Sequence, residues 1–597
     1  MAYLKNLVTY SYRLSSVFPC QKRDCLSTLL LLFVSACTNM PALQEQPDAS
    51  VIPGPREEEI VVRAEPERPR LELTEEILFK LLLAEIAGQR GRLDISVEHY
   101  LDLARSTRDP VIIERAARIA VYARNNEAAR EAALMWASLD PQNPDAHQVL
   151  AVMALREGDI DKALEHLDVI MKTPDGKPGQ KLWMIANFLS GEQDRQMVID
   201  VMERLMADHQ KDADALFAYA QVAARLGKLQ RSSELLEQVL ALTPEDNNAA
   251  LSYVALLQKQ DKINEAITWL ENILKNREDD FSLRQAYARL LTDAKRFDDA
   301  RRQFEILAVQ APNNSDVLYA LGLLYLQSNR LEDATAYFLR LSKQDKTINE
   351  ANYYLGRIAE EKKELVDAGE WYQQVHDGEH YFDARVRLGM VLSKQGKIEE
   401  GLELIRTIQT DNPSDKNILI QAEGELLTEA GRFDEAMTVY NDALAGNDEP
   451  DLLYARAMLA EKMGRLDILE SDLNAILEKD PENAQALNAL GYTLADQTER
   501  YQEAYELIKR ALELSPDDFY ILDSMGWVLY RLGRLDEALT HLQKALALRN
   551  DPEIAAHLGE VLWIVGDKQA AREIWDTALQ DTPDDARLLK VINRFNP

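Results

Sequence analysis

The stretch Gly526-Trp-Val-Leu-Tyr-Arg-Leu-Gly-Arg-Leu-Asp-Glu-Ala538 contains the two features that decide the fold. Gly526 lies seven residues before a short turn at Gly533, and after that turn come an apolar residue, two acids and the small residue Ala538. A glycine inside a helix costs about 1 kcal/mol relative to alanine, so it is expected only where two helices approach closely. The stretch therefore predicts two helices that are joined by a turn and packed together at small residues.

The same turn recurs along most of the chain. Gly158-Asp-Ile-Asp-Lys-Ala163, Asn329-Arg-Leu-Glu-Asp-Ala334 and Gly431-Arg-Phe-Asp-Glu-Ala436 are clear copies. Self-similarity with a step of about 34 residues is the signature of a helical repeat array. Equivalent turns fall near positions 91, 125, 158, 191, 227, 261, 295, 329, 363, 396, 431, 464, 499, 533 and 566.

Small residues keep the same phase as the turns. Because small side chains let two helices come close, these positions predict the contact line within each pair. On the first helix they are Gly322, Gly356, Gly389, Gly424, Gly491, Gly526 and Gly559. On the second helix they are Ala163, Ala266, Ala300, Ala334, Ala368, Ala436, Ala504, Ala538 and Ala571. Prolines are expected to close the repeats, where the missing N–H does least harm: Pro141, Pro244, Pro312, Pro413, Pro481, Pro516 and Pro583.

These marks together resemble the tetratricopeptide repeat (TPR) family. The resemblance covers roughly residues 73–583, and it implies an all-α superhelical solenoid of tandem helix-turn-helix units. We expect divergent repeats over 73–212, where the turns near 125 and 191 lack the glycine pattern, and a regular array over 213–583. The apolar spacing of Leu588, Leu589 and Ile592 predicts a C-terminal capping helix within 584–597. A HEAT-type array of helical hairpins is the alternative fold.

The N-terminus has the order of features found in a lipoprotein signal peptide. Lys22 and Arg23 precede the apolar run 26–34, which is too short to span a bilayer and has the length of a signal-peptide core. Val34-Ser-Ala-Cys37 resembles the bacterial lipobox, so we expect residues 1–36 to be removed and Cys37 to be lipidated. The resemblance, with Thr38 after the cysteine, implies the outer membrane. A chance match after an ordinary signal peptide or a buried apolar helix is the alternative.

The segment 37–72 carries six prolines, which favours an extended tether between the lipid and the array. A tail without a role is the alternative. All three cysteines of the chain, Cys20, Cys25 and Cys37, precede or begin this segment, so none can staple the repeats. The formal net charge of −33 disfavours nucleic acid as a partner, since an acidic surface repels phosphates.

Catalytic motifs are nearly absent from the sequence. It contains neither a phosphate-binding GxxxxGK[ST] loop nor a GxSxG elbow. The segment His376-Asp-Gly-Glu-His380 matches the zinc-binding pattern HxxEH, which requires a helix. The repeat register places this segment at a link between helix pairs, and Gly378 opposes a helix there. We therefore expect a solvated turn, no metal and no cofactor, and we keep a metal-dependent hydrolase as a remote alternative.

Two surfaces are candidates for binding proteins. Members of the TPR family use the inner face of the first helix of each pair as a groove, and the resemblance places Asn488, Tyr492, Asp523, Trp527 and Tyr530 in it. Aromatic residues flanked by polar groups suit peptide capture; packing of Trp527 and Tyr530 between repeats is the alternative. The first predicted helix is apolar over a wide arc and could dock a partner, or simply pack on the second helix and the tether: Ile77, Leu78, Leu81, Leu82, Leu83 and Ile86.

The whole layout resembles the TPR lipoproteins of the bacterial outer membrane. It is similar in particular to adaptors that bind a periplasmic carboxyl-terminal processing protease and present cell-wall hydrolases to it. That resemblance implies a scaffold rather than an enzyme, with a protease and cell-wall enzymes as partners. A scaffold for an envelope machine, such as polysaccharide export, pilus assembly or peptidoglycan synthesis, is the alternative.

Overall fold

The computed structural model describes residue 69 and residues 71–595, except for 175, 193 and 447. The predicted signal peptide, Cys37 and nearly all of the predicted tether lie outside the described residues. Those residues form α-helices, one short 3₁₀ turn at Met206–Asp208 and no strand, which confirms the predicted all-α class. None of the helices found there is both long and apolar enough to cross a membrane.

The chain divides into two compact units at the link between Gln310 and Ala311. The helices of the N-terminal unit are α1 Glu75–Gln89, α2 Leu93–Thr107, α3 Pro110–Tyr122, α4 Asn126–Leu139, α5 Pro144–Arg156, α6 Ile160–Lys172, α7 Pro178–Leu189, α8 Arg195–Leu205, α9 Ala213–Arg225, α10 Leu229–Leu242, α11 Asn247–Lys259, α12 Ile263–Leu274, α13 Phe281–Asp293 and α14 Phe297–Gln310.

The C-terminal unit continues the helix pairs and adds one last helix. Its helices are α15 Ser315–Gln327, α16 Leu331–Leu341, α17 Ile348–Glu361, α18 Leu365–Gln373, α19 Tyr381–Lys394, α20 Ile398–Thr407, α21 Pro413–Glu429, α22 Phe433–Ala443, α23 Pro450–Lys462, α24 Leu466–Lys479, α25 Ala484–Gln497, α26 Tyr501–Leu514, α27 Phe519–Arg531, α28 Leu535–Leu548, α29 Pro552–Val565, α30 Lys568–Asp581 and α31 Ala586–Phe595.

Most of the predicted turns contain a residue in the left-handed backbone conformation, with positive φ. Gly533 has φ of 77°, a conformation that glycine adopts without a steric cost. At five turns a residue with a side chain takes the same conformation, as Asn329 does with φ of 56°. The turn geometry is therefore a property of the repeat, and glycine only makes it easier. The other four of these residues are Arg124, Asp261, Lys295 and Lys363.

Asparagine and aspartate side chains begin many of the first helices. Asp518 accepts hydrogen bonds from the backbone N–H groups of Tyr520 and Ile521 at 2.9 and 3.2 Å, and Asn483 caps α25 in the same way. Such a cap satisfies helix N–H groups that have no other partner. Pro413, which was expected to close a repeat, is instead the first residue of α21, where a missing N–H is equally harmless.

The predicted contact line within each pair is confirmed. A Cβ built on Gly526 would lie 2.5 Å from Cγ of Leu542, and one on Gly491 would lie 2.6 Å from Cγ1 of Ile508. The facing Ala538 is fully buried, as are all the alanines predicted for the second helices. The two helices therefore touch at a point where the first has no side chain.

One pair in the N-terminal unit breaks this pattern. Helix α7 packs mainly against α9, the first helix of the next pair, and makes few contacts with α8. A Cβ on Gly179 would lie 3.1 Å from the backbone carbonyl carbon of Asp214 and would also clash with its side chain, so a larger residue would separate α7 from α9. The ammonium group of Lys181, which is buried, donates to the carbonyl oxygens of Met171 at 2.9 Å and of Thr173 at the end of α6.

The close contact at Gly526 gives a stability prediction. Gly526→Ala would gain about 1 kcal/mol of helix propensity, but overpacking against Leu542 costs about 1–3 kcal/mol, so we expect a lower urea midpoint of unfolding. Gly369→Ala is the matched control, because the nearest atom to its Cβ is the side-chain Nε2 of Gln395 at 3.3 Å. That variant should be as stable as the wild type or more so. Equal midpoints for the two variants would contradict the argument.

Candidate partner-binding site

The first helices of three successive pairs, α25, α27 and α29, line one face of the C-terminal unit. We call it the first-helix face. Helix α25 packs against α27, and α27 packs against α29, in addition to the contact of each with its own second helix. All five residues predicted for the groove lie on α25 or α27.

Asp523 forms a buried pair with a residue that the sequence did not single out. Nδ1 of His557, on α29, lies 3.0 Å from both carboxylate oxygens of Asp523 and donates its proton to them. Asp523 is 5% exposed and His557 is 8% exposed. Burial alone would lower the pKa of His557, but the Asp523 carboxylate outweighs it and raises this pKa above its usual 6.5.

Trp527 lies between the repeats and is only 8% exposed. Its ring stacks on His557, with centroids 4.2 Å apart and planes at 23°. Tyr530, which is half-buried, lies 5.2 Å from the Trp527 ring and donates its hydroxyl to Oε1 of Glu560 at 3.1 Å. Trp527 thus packs between repeats, whereas Tyr530 reaches the rim of the face.

Asn488 and Tyr492 are half-buried on α25. The hydroxyl of Tyr492 donates to Oε1 of Glu553 at 3.4 Å. Its pKa is raised, first because it is buried and then because the carboxylates of Glu553, Asp523, Asp496 and Glu461 disfavour another negative charge.

Two polar atoms of this face, Oδ1 of Asn488 and Nε1 of Trp527, have no hydrogen-bond partner within the described part of the chain. An unsatisfied buried polar atom costs about 1–3 kcal/mol.

The capping helix α31 covers the last part of the face. It packs mainly on α29, and its two arginines form ion pairs there: Arg587 with Glu553, and Arg594 with Glu560. Glu560 is only 3% exposed, and its carboxylate contacts both Arg594 and the Tyr530 hydroxyl.

Sequence analysis missed both arginines as well as His557, Glu553 and Glu560. The first-helix register could have indicated Glu560, which directly follows Gly559 as Trp527 follows Gly526. It does not mark His557, which lies two residues before its glycine, whereas Asp523 lies three before its own.

The predicted docking helix α1 exposes an apolar stripe. Leu78, Leu82 and Ile86 are 43%, 52% and 47% exposed, whereas Ile77 and Leu81 are half-buried. Leu73 and Phe79, which the sequence did not single out, are more exposed still, at 66% and 64%. Phe79 lies on α1 and Leu73 lies just before it, so the exposed apolar surface is larger than the sequence predicted.

The segment His376-Asp-Gly-Glu-His380 forms a turn between α18 and α19, with Gly378 at φ of 90°. The His380 ring stacks on Tyr353 with centroids 4.2 Å apart, while His376 is exposed. No group of three or more histidine, cysteine, aspartate or glutamate residues that could hold a metal occurs among the described residues. The helical geometry that the zinc motif requires is not formed.

Two family models of the tetratricopeptide repeat match the chain. One matches residues 482–551, and the other matches 114–177, 283–347, 319–381 and 524–586. Both describe a repeat rather than a catalytic domain. These matches favour the TPR array over the HEAT-type alternative.

Relatives extend the match along the chain. TPR repeat-containing protein PA4667 of Pseudomonas aeruginosa is 37% identical over 530 residues, which cover 89% of this chain and 89% of that protein. The human protein O-mannosyl-transferase TMTC1 is 28% identical over 173 residues, covering 28% of this chain and 19% of its own length. The solved structure of TTC0263, a thermophilic TPR protein of Thermus thermophilus, is 27% identical, covers 30% of this chain and 95% of that one, and has a TM-score of 0.27.

The raised pKa of His557 predicts a pH dependence. A histidine whose pKa is higher in the folded state than in the unfolded state stabilises the fold when it is protonated. Its contribution to stability is complete at pH values below the unfolded pKa of 6.5, and it is lost as the pH rises through the folded pKa. The stability advantage of the wild type over His557→Gln should therefore shrink above pH 6.5 in thermal melts.

His541→Gln is the control with the opposite sign, because burial lowers the pKa of His541. The wild type should lose stability relative to that variant as pH falls below 6.5. Parallel pH profiles for the two variants would contradict the assignment.

Proposed function

Since the chain belongs to the tetratricopeptide repeat family, we propose that it is a non-catalytic scaffold which binds protein partners through the first-helix face and through α1. We propose further that a lipid on Cys37 anchors it to the periplasmic face of a bacterial outer membrane. Its partners on this proposal are a carboxyl-terminal processing protease and the cell-wall hydrolases that the protease degrades.

The observation that carries the binding proposal is the composition of the first-helix face. A buried Asp523–His557 pair fixes α27 against α29 through contacts of 3.0 Å, and half-buried tyrosines surround it. Tyrosine and tryptophan in fixed positions supply much contact area at little entropic cost, which is why they dominate binding hot spots. A rigid first-helix face of this kind suits capture of a peptide segment.

The two candidate surfaces belong to different units: α1 to the N-terminal unit and the first-helix face to the C-terminal unit. A scaffold with two separate surfaces can hold a protease and its substrate together. Tethering then turns the second encounter into an intramolecular one, at effective concentrations on the order of millimolar for short flexible links. This advantage requires no catalytic group on the scaffold itself.

The anchor proposal rests on the sequence order of basic residues, apolar core and Val34-Ser-Ala-Cys37. A single acyl chain binds membranes only weakly, whereas several chains on one cysteine bind firmly. We expect metabolic labelling with a palmitate analogue to mark the wild type but not Cys37→Ser. Equal labelling of both proteins would exclude Cys37 as the lipidated residue.

Partner identity is tested by cross-linking in intact cells, followed by purification of the chain from membranes and mass spectrometry. We expect a carboxyl-terminal processing protease and cell-wall hydrolases to be enriched over a mock purification. Recovery of components of a polysaccharide-export, pilus or peptidoglycan-synthesis machine would replace the protease with that machine. Recovery of neither class would refute the proposal.

The role of α1 is tested by the double variant Phe79→Ser/Leu82→Ser. Both side chains are exposed, so the free energy of unfolding should change by no more than about 0.5 kcal/mol. On this proposal the variant loses about 1.4 kcal/mol of binding free energy, which weakens protease capture about tenfold.

Tyr122→Ser/Leu134→Ser is the matched control in the same unit, since these residues are 77% and 53% exposed. It should capture the protease normally. Equal capture by both double variants would remove α1 from the interface.

A further inference from the structure

Helix α31 does not continue the array in the way that an inner helix does. Helix α29 packs mainly on the second helix before it, α28, and only lightly on the first helix α27. Helix α31 does the reverse, because it packs mainly on the first helix α29 and only lightly on the second helix α30. The last helix is therefore displaced onto the first-helix face, on which the proposed scaffold function depends.

The polar contacts that hold α31 are ones that a separate segment can form as well. Arg587 and Arg594, seven positions apart, pair with Glu553 and Glu560 on α29. Both arginine side chains remain exposed, at 69% and 57%. Each carboxylate also accepts a hydrogen bond from a tyrosine hydroxyl of a neighbouring first helix, at 3.4 and 3.1 Å. The receiving groups thus belong to the first-helix face, and α31 supplies only the guanidinium groups.

Apolar contacts hold α31 less firmly than they hold the helices inside the array. Of its ten residues only Leu588 is buried, whereas α29 buries nine residues. Phe595 lies beside the ring of Trp563, with centroids 6.0 Å apart, but is itself only half-buried. A helix of about ten residues has little stability of its own in water, and elements with few buried apolar contacts open locally at a low free energy. Helix α31 can therefore leave the face while the array stays folded.

Glu560 restricts what can take the place of α31. This carboxylate is 3% exposed, and among the described residues Arg594 is its only basic ion-pair partner. A buried ion pair that loses one partner leaves an uncompensated charge, which is strongly destabilising. Departure of α31 lets water reach Glu560, but any segment that then covers this carboxylate must bring a cation of its own.

We propose that α31 is an intramolecular occupant of the first-helix face, which a basic, amphipathic helical segment of a protein partner displaces. Such a segment repeats the pattern of α31: two basic side chains seven positions apart for Glu553 and Glu560, and an apolar residue in the place of Leu588. This inference rests on the proposed scaffold function and deepens it, because it names the chemistry of the partner segment and gives the scaffold a closed state. The net charge of −33 favours the approach of a basic segment.

The test uses the full chain and a fluorescent peptide with the sequence of residues 584–595, measured by anisotropy. Arg587→Gln/Arg594→Gln should bind the peptide about tenfold more tightly than the wild type, because its own α31 competes less for the face. Glu553→Gln/Glu560→Gln should lose the binding, although both amides can still accept the tyrosine hydrogen bonds. A permanent cap predicts no gain in the first variant, and that result would overturn the proposal.

Lys509→Gln/Lys590→Gln is the matched control, because it removes the same positive charge from two exposed positions, one of them on α31. It should bind the peptide like the wild type. An equal gain in this control would reduce the effect to net charge and overturn the proposal. A twin peptide with citrulline in place of both arginines should not bind, and equal binding of the two peptides would count against the ion pairs.

Hydrogen exchange of the wild type tests displacement without any substitution. Saturating peptide should speed exchange of the backbone amides of α31, while α27 and α29 keep their protection. Unchanged protection of α31 would show a permanent cap and overturn the proposal. So would a wild-type chain that is dimeric in solution and becomes monomeric in Arg587→Gln/Arg594→Gln, since α31 would then occupy the face of a second copy.

Partner capture separates this inference from the scaffold proposal. Arg587→Gln/Arg594→Gln should capture more of the membrane partners than the wild type does. If it captures the same amount, the displacement of α31 is wrong and the scaffold function stands. If the wild type and this variant both capture neither class of partner, the scaffold proposal fails, while the peptide and exchange measurements still decide whether α31 is displaced.

Discussion

The close approach of the two helices in each pair is the constraint on which the rest of the structure depends. At Gly526 and its counterparts the first helix presents bare backbone to a large side chain of the second helix, and even a Cβ would collide with it. This contact fixes the rotation of the first helix about its axis. It thereby decides which residues face the partner helix and which face the neighbouring first helices.

The residues that face the neighbouring first helices are free to vary, because the contact line already holds the pair together. The chain uses this freedom differently along its length. Around α17 the position three residues before the glycine is Tyr353, which stacks on His380, whereas around α27 it is Asp523, which pairs with His557. The same backbone register thus supplies an aromatic cluster in one place and a charged pair in another.

Sequence alone predicted the helix pairs and their phase, because contacts in a repeat array are local and follow the period. That the five residues on α25 and α27 bind a partner stays a prediction. Sequence did not predict Arg587 and Arg594, since their role depends on where a single non-repeated helix lies on α29. It also missed the packing of α7 on α9. That rearrangement depends on Gly179, which lies outside the position that the period marks as small.

The charge pattern of the first-helix face follows from the need to end the array. A last repeat exposes a surface that an inner repeat would bury, so a capping helix must cover it. In this chain the cap contributes charge as well as apolar cover, because Arg594 neutralises the buried Glu560. Basic side chains on this face are therefore part of its folded state.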